Sequence, residues 1–247
     1  MNEGGPPAHL RFAMSPLVHP HAGSRLSRDA ASAMNEGGPP AHLRFASPPS
    51  CTPRLMRWTR TTLRDARRMP WKNGGGITLE LAVEPPGASL ETGFAWRLSS
   101  AEVAASGPFS AFPGLERTLL LLSGDGFQLE LGSRGSICLD APFVPVRFAG
   151  DWPARADLLG GPCVDFNLMA DPTRCHARLE VWQGATPLRL QLGAATVLVY
   201  VAQGTVAVPL LEVHLGEGHL LRLDGGPEDL ALLPGYGGAS LIVVRVD

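Results

Sequence analysis

The chain is poor in the residues that build metal and redox centres. It has 247 residues but only four cysteines and seven histidines. Cys51, Cys138, Cys163 and Cys175 form no CxxC pair, so neither a zinc module nor a dense disulfide framework is encoded. Free thiols in a reducing compartment are the simpler reading, and they point to the cytoplasm. No histidine stands between residues 43 and 175, and His176, His214 and His219 contain no HxH pair. His214 and His219 could meet Glu217 across one turn, but that set is an incomplete metal shell. No metal and no other cofactor is therefore expected. Also missing is any run of 18 apolar residues without charge, which excludes a membrane-spanning helix from the expectation. The N-terminus lacks the continuous apolar stretch of a secretory signal. Aromatic residues make up only 6 % of the chain, and patterns for long helices are scarce.

Glycine and proline are plentiful, at 29 and 23, which marks a turn-rich chain. The formal net charge of -2 conceals a division. Residues 1–68 carry ten arginines against four acids, and the remainder carries eleven cations against nineteen acids. An acidic folded part argues against a nucleic-acid partner. The basic head contains MNEGGPPAHLRFA twice, at residues 1–13 and 34–46. Structural repeats are approximate and apolar enough to stack, whereas this copy is identical and polar. It reads as a duplication in the coding DNA or translation from an early start, with Met34 and Met56 as alternatives. Residues 1–55 are expected to be disordered and without chemistry.

Beyond residue 76 the alternation is that of strands. ITLELAV (77–83) and FAWRLSSAEV (94–103) are followed by RTLLLL (117–122), which SGDG joins to FQLEL (127–131) as a hairpin. SICLD, PVRFAG and GPCVDFNLM continue the series. ARLEVW, PLRLQL, ATVLVYVAQGTVAV, HLLRL, DLALLPG (229–235) and ASLIVVRV (239–246) close it. Regularly spaced short strands with Gly and Pro turns predict a sandwich or barrel, and no room is left for Rossmann helices. A hairpin followed by two more strands occurs in each half. The expected fold is all-β, a double β-barrel of jelly-roll halves at 56–150 and 151–247, with strands open to exchange between them.

PWKNGGGITLE (70–80) asks for a decision between a phosphate loop, a turn and a pocket wall. A P-loop needs its lysine after the glycines and a helix behind it; here Lys72 precedes them and a strand follows. Asn-Gly favours a hairpin turn. Three glycines also clear a surface and expose backbone N–H groups, so both the turn and the pocket readings stand.

PWKNGGGITLE, FAWRLSSAEVAASGPFSAFPGLERTLLLLSGDG (94–126) and GPCVDFNLMAD (161–171) together resemble the HutD/Ves family, over residues 56–247. The resemblance implies a cupin-like fold of two β-barrel halves. It also implies a regulatory or ligand-binding role near histidine degradation. The long head and the scarcity of histidine depart from the pattern. The family's distinctive positions fall on Trp71, Lys72, Asn73, Gly74, Gly75, Glu80, Trp96, Arg97, Ser99, Arg117, Asp165 and Asn167, which become the candidate ligand-binding residues.

Strand geometry gives some of these a physical role. Trp96 and Arg97 are neighbours and face opposite ways, while Arg97 and Ser99 share a face. A buried Arg97 needs Glu80, Asp165 or a ligand carboxylate as its partner. Asp165 and Asn167 likewise share a face. GPFSAFPG is read as a rim loop anchored by Phe109 and Phe112, and Ser110 lacks a nucleophile elbow. The leading reading is a binder of a small acidic or nitrogen-containing metabolite, with no nucleic acid and no membrane. The alternatives are a metal-independent enzyme using Glu80, Asp165 and Lys72, and an interaction protein whose edge strands form a homodimer.

Overall fold

The computed structural model describes residues 56–247 apart from 72, 73, 194 and 228. The expected disordered head at 1–55 lies outside the described residues. Strands follow one another with short turns: β1 (Arg57–Thr62), β2 (Arg67–Pro70), β3 (Gly76–Glu84), β4 (Trp96–Val103), β5 (Gly107–Phe109), β6 (Glu116–Ser123), β7 (Phe127–Glu130), β8 (Ser136–Leu139) and β9 (Val146–Ala149). The second series is β10 (Ala154–Leu158), β11 (Cys163–Ala170), β12 (Ala177–Gly184), β13 (Leu188–Leu190), β14 (Thr196–Val208), β15 (Val213–Leu215), β16 (His219–Asp224) and β17 (Leu230–Val246). Among the described residues the helical pieces are two 3-10 turns, Gly132–Arg134 and Pro209–Leu211. No helix among them is long and apolar enough to cross a membrane.

The architecture is all-β and cupin-like. A six-stranded sheet runs β2-β3-β4-β11-β6-β9, and a four-stranded sheet runs β5-β10-β7-β8. A seven-stranded sheet follows the path β1-β16-β14-β17-β12, with β13 on β17 and β15 on β14. The sheets fold over one another as jelly rolls do, without closing into a ring. Their membership does not divide at residue 150. β1 pairs with β16, Trp58 opposite Leu223, while β10 and β11 join the sheets of the first half.

Three apolar layers hold these sheets together. Phe127, Leu129, Leu119, Leu121 and Phe148 fill the space between the four- and six-stranded sheets. Trp96, Leu98, Phe166 and Leu168 use the other face of the six-stranded sheet to meet Leu198, Tyr200, Ile242 and Val244. A third cluster, including Val197, Val199, Leu221, Leu223 and Leu241, lies inside the second half. β4 is buried at every position but Glu102, yet it carries Arg97, Ser99 and Ser100 among its apolar residues, so its burial is not that of a purely apolar strand.

Two expected strands, 229–235 and 239–246, are one element. β17 runs through them without a break and bends along β14, whose register shifts at Val201/Gln203 and Gly204/Val206. Gly204 adopts φ +79°, and a Cβ there would come within 2.4 Å of the Gly238 carbonyl oxygen. Such bulges let a long strand turn a corner and serve both walls of a jelly roll.

Candidate functional site

The turn before β3 is a hairpin. The Trp71 N–H donates to the Gly76 carbonyl (3.0 Å) and the Gly74 N–H to the Trp71 carbonyl (3.0 Å). Gly74 has φ +70° and an exposed position, which suits glycine at the tip. The Gly75 carbonyl accepts from the amides of Ala104 and Ala105. A Cβ on Gly76 would strike the Glu102 carbonyl oxygen at 2.2 Å and the Trp71 ring at 3.1 Å. The glycines therefore permit a close strand approach beneath an indole. Trp71 is held by its Nε1–H donating to Thr78 Oγ1 (2.8 Å) and by an edge contact with Phe109 at 5.8 Å. Lys72 and Asn73 lie outside the described residues.

Pairing register gathers most of the other candidates on one face. Glu80 stands opposite Ser99, Ser99 opposite Asn167, and Asn167 opposite Leu119. Met169 pairs with both Arg97 and Arg117, and Asp165 with Ala101. This is the inner face of the first half. Arg97, Ser99, Arg117, Asp165 and Asn167 are all buried there. Trp96 is not among them. It points the other way into the layer between the halves, with Arg222 over its ring at 5.3 Å.

The two buried arginines are partnered differently. Arg97 Nε lies 2.7 Å from Glu80 Oε2, and Arg67 Nε lies 3.2 Å from Glu80 Oε1. Glu80 is thus engaged on both oxygens, and of the three partners open to Arg97 the protein uses its own carboxylate. Arg117, only 4 % exposed, has no ion pair among the described residues, and its Nε lacks a hydrogen-bond partner. Its guanidinium instead lies over Phe109, Phe112 and Phe148 at 5.6, 5.2 and 5.0 Å. Ring faces attract a cation but do not accept its N–H groups as a carboxylate does.

Two further atoms on this face are unsatisfied. Asp165 Oδ1 and Asn167 Oδ1 are buried without a hydrogen-bond partner among the described residues. Burial pushes the Asp165 carboxyl up to about 7, against the opposing pull of Arg117 and the Ala101 amide. Burial lowers Arg117 to about 10, helped by Arg97 and opposed by Asp165, so the guanidinium stays charged near neutrality. Unmet buried polar atoms cost about 1–3 kcal/mol each and call for an explanation. Phe148 is the member of this group that sequence reading passed over. It is fixed opposite Arg117 by β6–β9 pairing, which no local pattern reveals. Among the described residues, no group of three His, Cys, Asp or Glu is placed to hold a metal ion.

Comparison with known proteins adds an independent line. The family model described as HutD matches residues 63–237. A 21.2 kDa Pseudomonas putida protein, named for the hutC 3′ region, is 42 % identical over 172 residues, covering 68 % of this chain and 88 % of its own. Among solved structures, HutD of Pseudomonas fluorescens SBW25, in a formate condition, is 35 % identical with a TM-score of 0.65. That similarity covers 77 % of this chain and 100 % of the other. A conserved protein of Pseudomonas aeruginosa PAO1 is 32 % identical with a TM-score of 0.70, covering 77 % and 99 %. Escherichia coli Ylba, from family DUF861, shares the fold at 9 % identity, with a TM-score of 0.58 and coverage of 77 % and 90 %.

Proposed function

The chain belongs to the HutD family, and from that premise we propose that it is a small-molecule binding protein for an acidic metabolite of histidine degradation. One observation carries this reading. Among the described residues, Arg117 is a buried cation with no carboxylate in ion-pair contact, with Asp165 acting on it only from a distance, beside two unsatisfied side-chain oxygens on the same inner face. A ligand carboxylate would supply the direct ion-pair contact that Asp165 does not make and accept from the guanidinium bidentately. A donor on the ligand would satisfy Asn167 Oδ1, and Phe109, Phe112 and Trp71 would flank its apolar part. Ser99 completes the polar wall, and the Glu80–Arg97 pair holds that wall in place. The association of relatives with the hut region supports a ligand from that pathway. Free thiols at Cys138, Cys163 and Cys175 suit a cytoplasmic setting.

Calorimetric titration with formylglutamate, urocanate and glutamate tests the proposal. At least one acid should bind saturably, and Arg117→Met should weaken that binding by about 100-fold. His214→Ala, an exposed position of the second half, should bind like the unmodified chain. Silence from all three acids removes the assignment to this pathway.

A further inference from the structure

The other face of β4 borders a separate cleft of about 310 Å³, where the six-stranded sheet parts from β14. Ile77, Leu79, Leu122 and Val164 give it an apolar wall. Three charged residues line it, Arg68, Glu102 and Glu217, all exposed and none in an ion pair with a described residue. Tyr200 also lines the cleft. It is only 4 % exposed and its ring packs on Phe166 at 5.1 Å. Its hydroxyl nonetheless has no hydrogen-bond partner among the described residues. Burial, with Glu217 nearby, pushes Tyr200 up to about 12, so the hydroxyl keeps its proton and can donate.

Register sets the spacing of the charges. Arg68 pairs with Leu79 and Leu79 with Ser100; in the next row Ile77 pairs with Glu102 and Glu102 with Val164. Arg68 and Glu102 therefore share a face, two strands and one row apart, or roughly 12 Å between Cα atoms. Glu217 approaches from the β15–β16 turn, which is tied down by the Gly218 N–H donating to the Val201 carbonyl.

We propose that this cleft is a second small-molecule site, for a compact zwitterion with an apolar side chain, of the α-amino-acid class. Glu102 and Glu217 take the ammonium, Arg68 and the Tyr200 hydroxyl take the carboxylate, and the side chain rests on Leu79, Leu122 and Val164. Two carboxylates against one guanidinium select for a ligand that carries an ammonium and repel a plain acid. The selectivity is thus the reverse of the Arg117 face. The two sites share a wall, because Ser100 Oγ, lining the cleft, donates to the main-chain carbonyl of Asp165 at 2.9 Å. The proposal stands on the cleft alone and does not depend on what occupies the inner face.

Amide-resolved NMR titration of the full chain with L-leucine, 3-methylbutylamine and 4-methylpentanoate tests it. Leucine should shift the amides of residues 77–79, 100–102 and 200–203 saturably. The amine should do so with about tenfold weaker affinity, and the acid should leave them still. Glu102→Gln, an exposed change, should weaken leucine about tenfold, and Tyr200→Phe, which keeps the packed ring, about threefold. Amides around Asn167 and Leu119 report the inner face separately, so either site can fail without the other. Unmoved cleft amides at saturating leucine, or 4-methylpentanoate binding as tightly as leucine, overturn the proposal.

Discussion

The two halves of the molecule enclose different interiors. Inside the second half, every member of the buried cluster is Leu, Val or Ala. The first half has a comparable apolar layer, but five polar or charged residues are buried on the same face: Arg97, Ser99, Arg117, Asp165 and Asn167. A core built only for stability has no use for a buried guanidinium that makes no ion-pair contact among the described residues, since desolvating a charge without a close partner is costly. The second half shows what this fold does when it only has to pack. The first shows a fold that gives up some of that stability to keep polar atoms unmet.

The comparison can be broken most sharply from the apolar side. Leu221→Ala, at a fully buried position, should cost about 2–5 kcal/mol in denaturant unfolding while leaving acid binding intact in the folded fraction. The next effect in size belongs to the polar side. Arg117→Met should weaken acid binding by about 100-fold, or about 3 kcal/mol, without lowering stability, because a cavity-sized apolar chain replaces an unpaired charge. Asp165 adds a dependence on pH. Its folded pKa, about 7, lies above the ordinary carboxylate value of 3.8, so the folded state holds the extra proton between those limits. Stability should therefore fall as pH rises from about 4 to about 7 and level off above. Asp165→Asn should flatten that slope and gain on the order of 2 kcal/mol at pH 8. An unchanged slope in urea midpoints from pH 4 to 8 would show that Asp165 is not the group responsible. Smallest is Thr78→Val, which keeps the side-chain shape and removes the acceptor of the 2.8 Å bond from Trp71 Nε1; a loss near 1 kcal/mol is expected in thermal melts.

Period-two alternation made the strands readable, as ITLELAV and FQLEL illustrate, and motif resemblance added the cupin-like arrangement. Alternation also put Arg97 with Ser99, and Asp165 with Asn167, on shared faces, which pairing then joined into one. Local pattern could not show that β11 inserts between β4 and β6, because that order depends on contacts across more than forty residues. For the same reason the partner of Arg97 stayed one of three until register set Glu80 beside it. Phe148 looked like an ordinary strand residue, and its place over Arg117 exists only once β9 pairs with β6. The sequence of the glycine run suits either a turn or a pocket wall. Its described part serves as a turn and a close strand crossing, with Trp71 stacked above Gly76.

The pairing of β1 with β16 has a consequence for how the chain can be made and cut. Arg57 finds its partner Asp224 only after nearly the whole sequence has been synthesised. Closing so long a loop is entropically costly, and high contact order slows folding. β1 is made first and stays unpaired until β16 is made, so a nascent chain carries a strand without its ladder for most of its synthesis. A fragment beginning after residue 62 would carry a bare edge at β16 permanently. Supplying Arg57–Thr62 as a separate peptide would offer it a matching strand, which makes the first described element a natural tether for split-protein reconstitution.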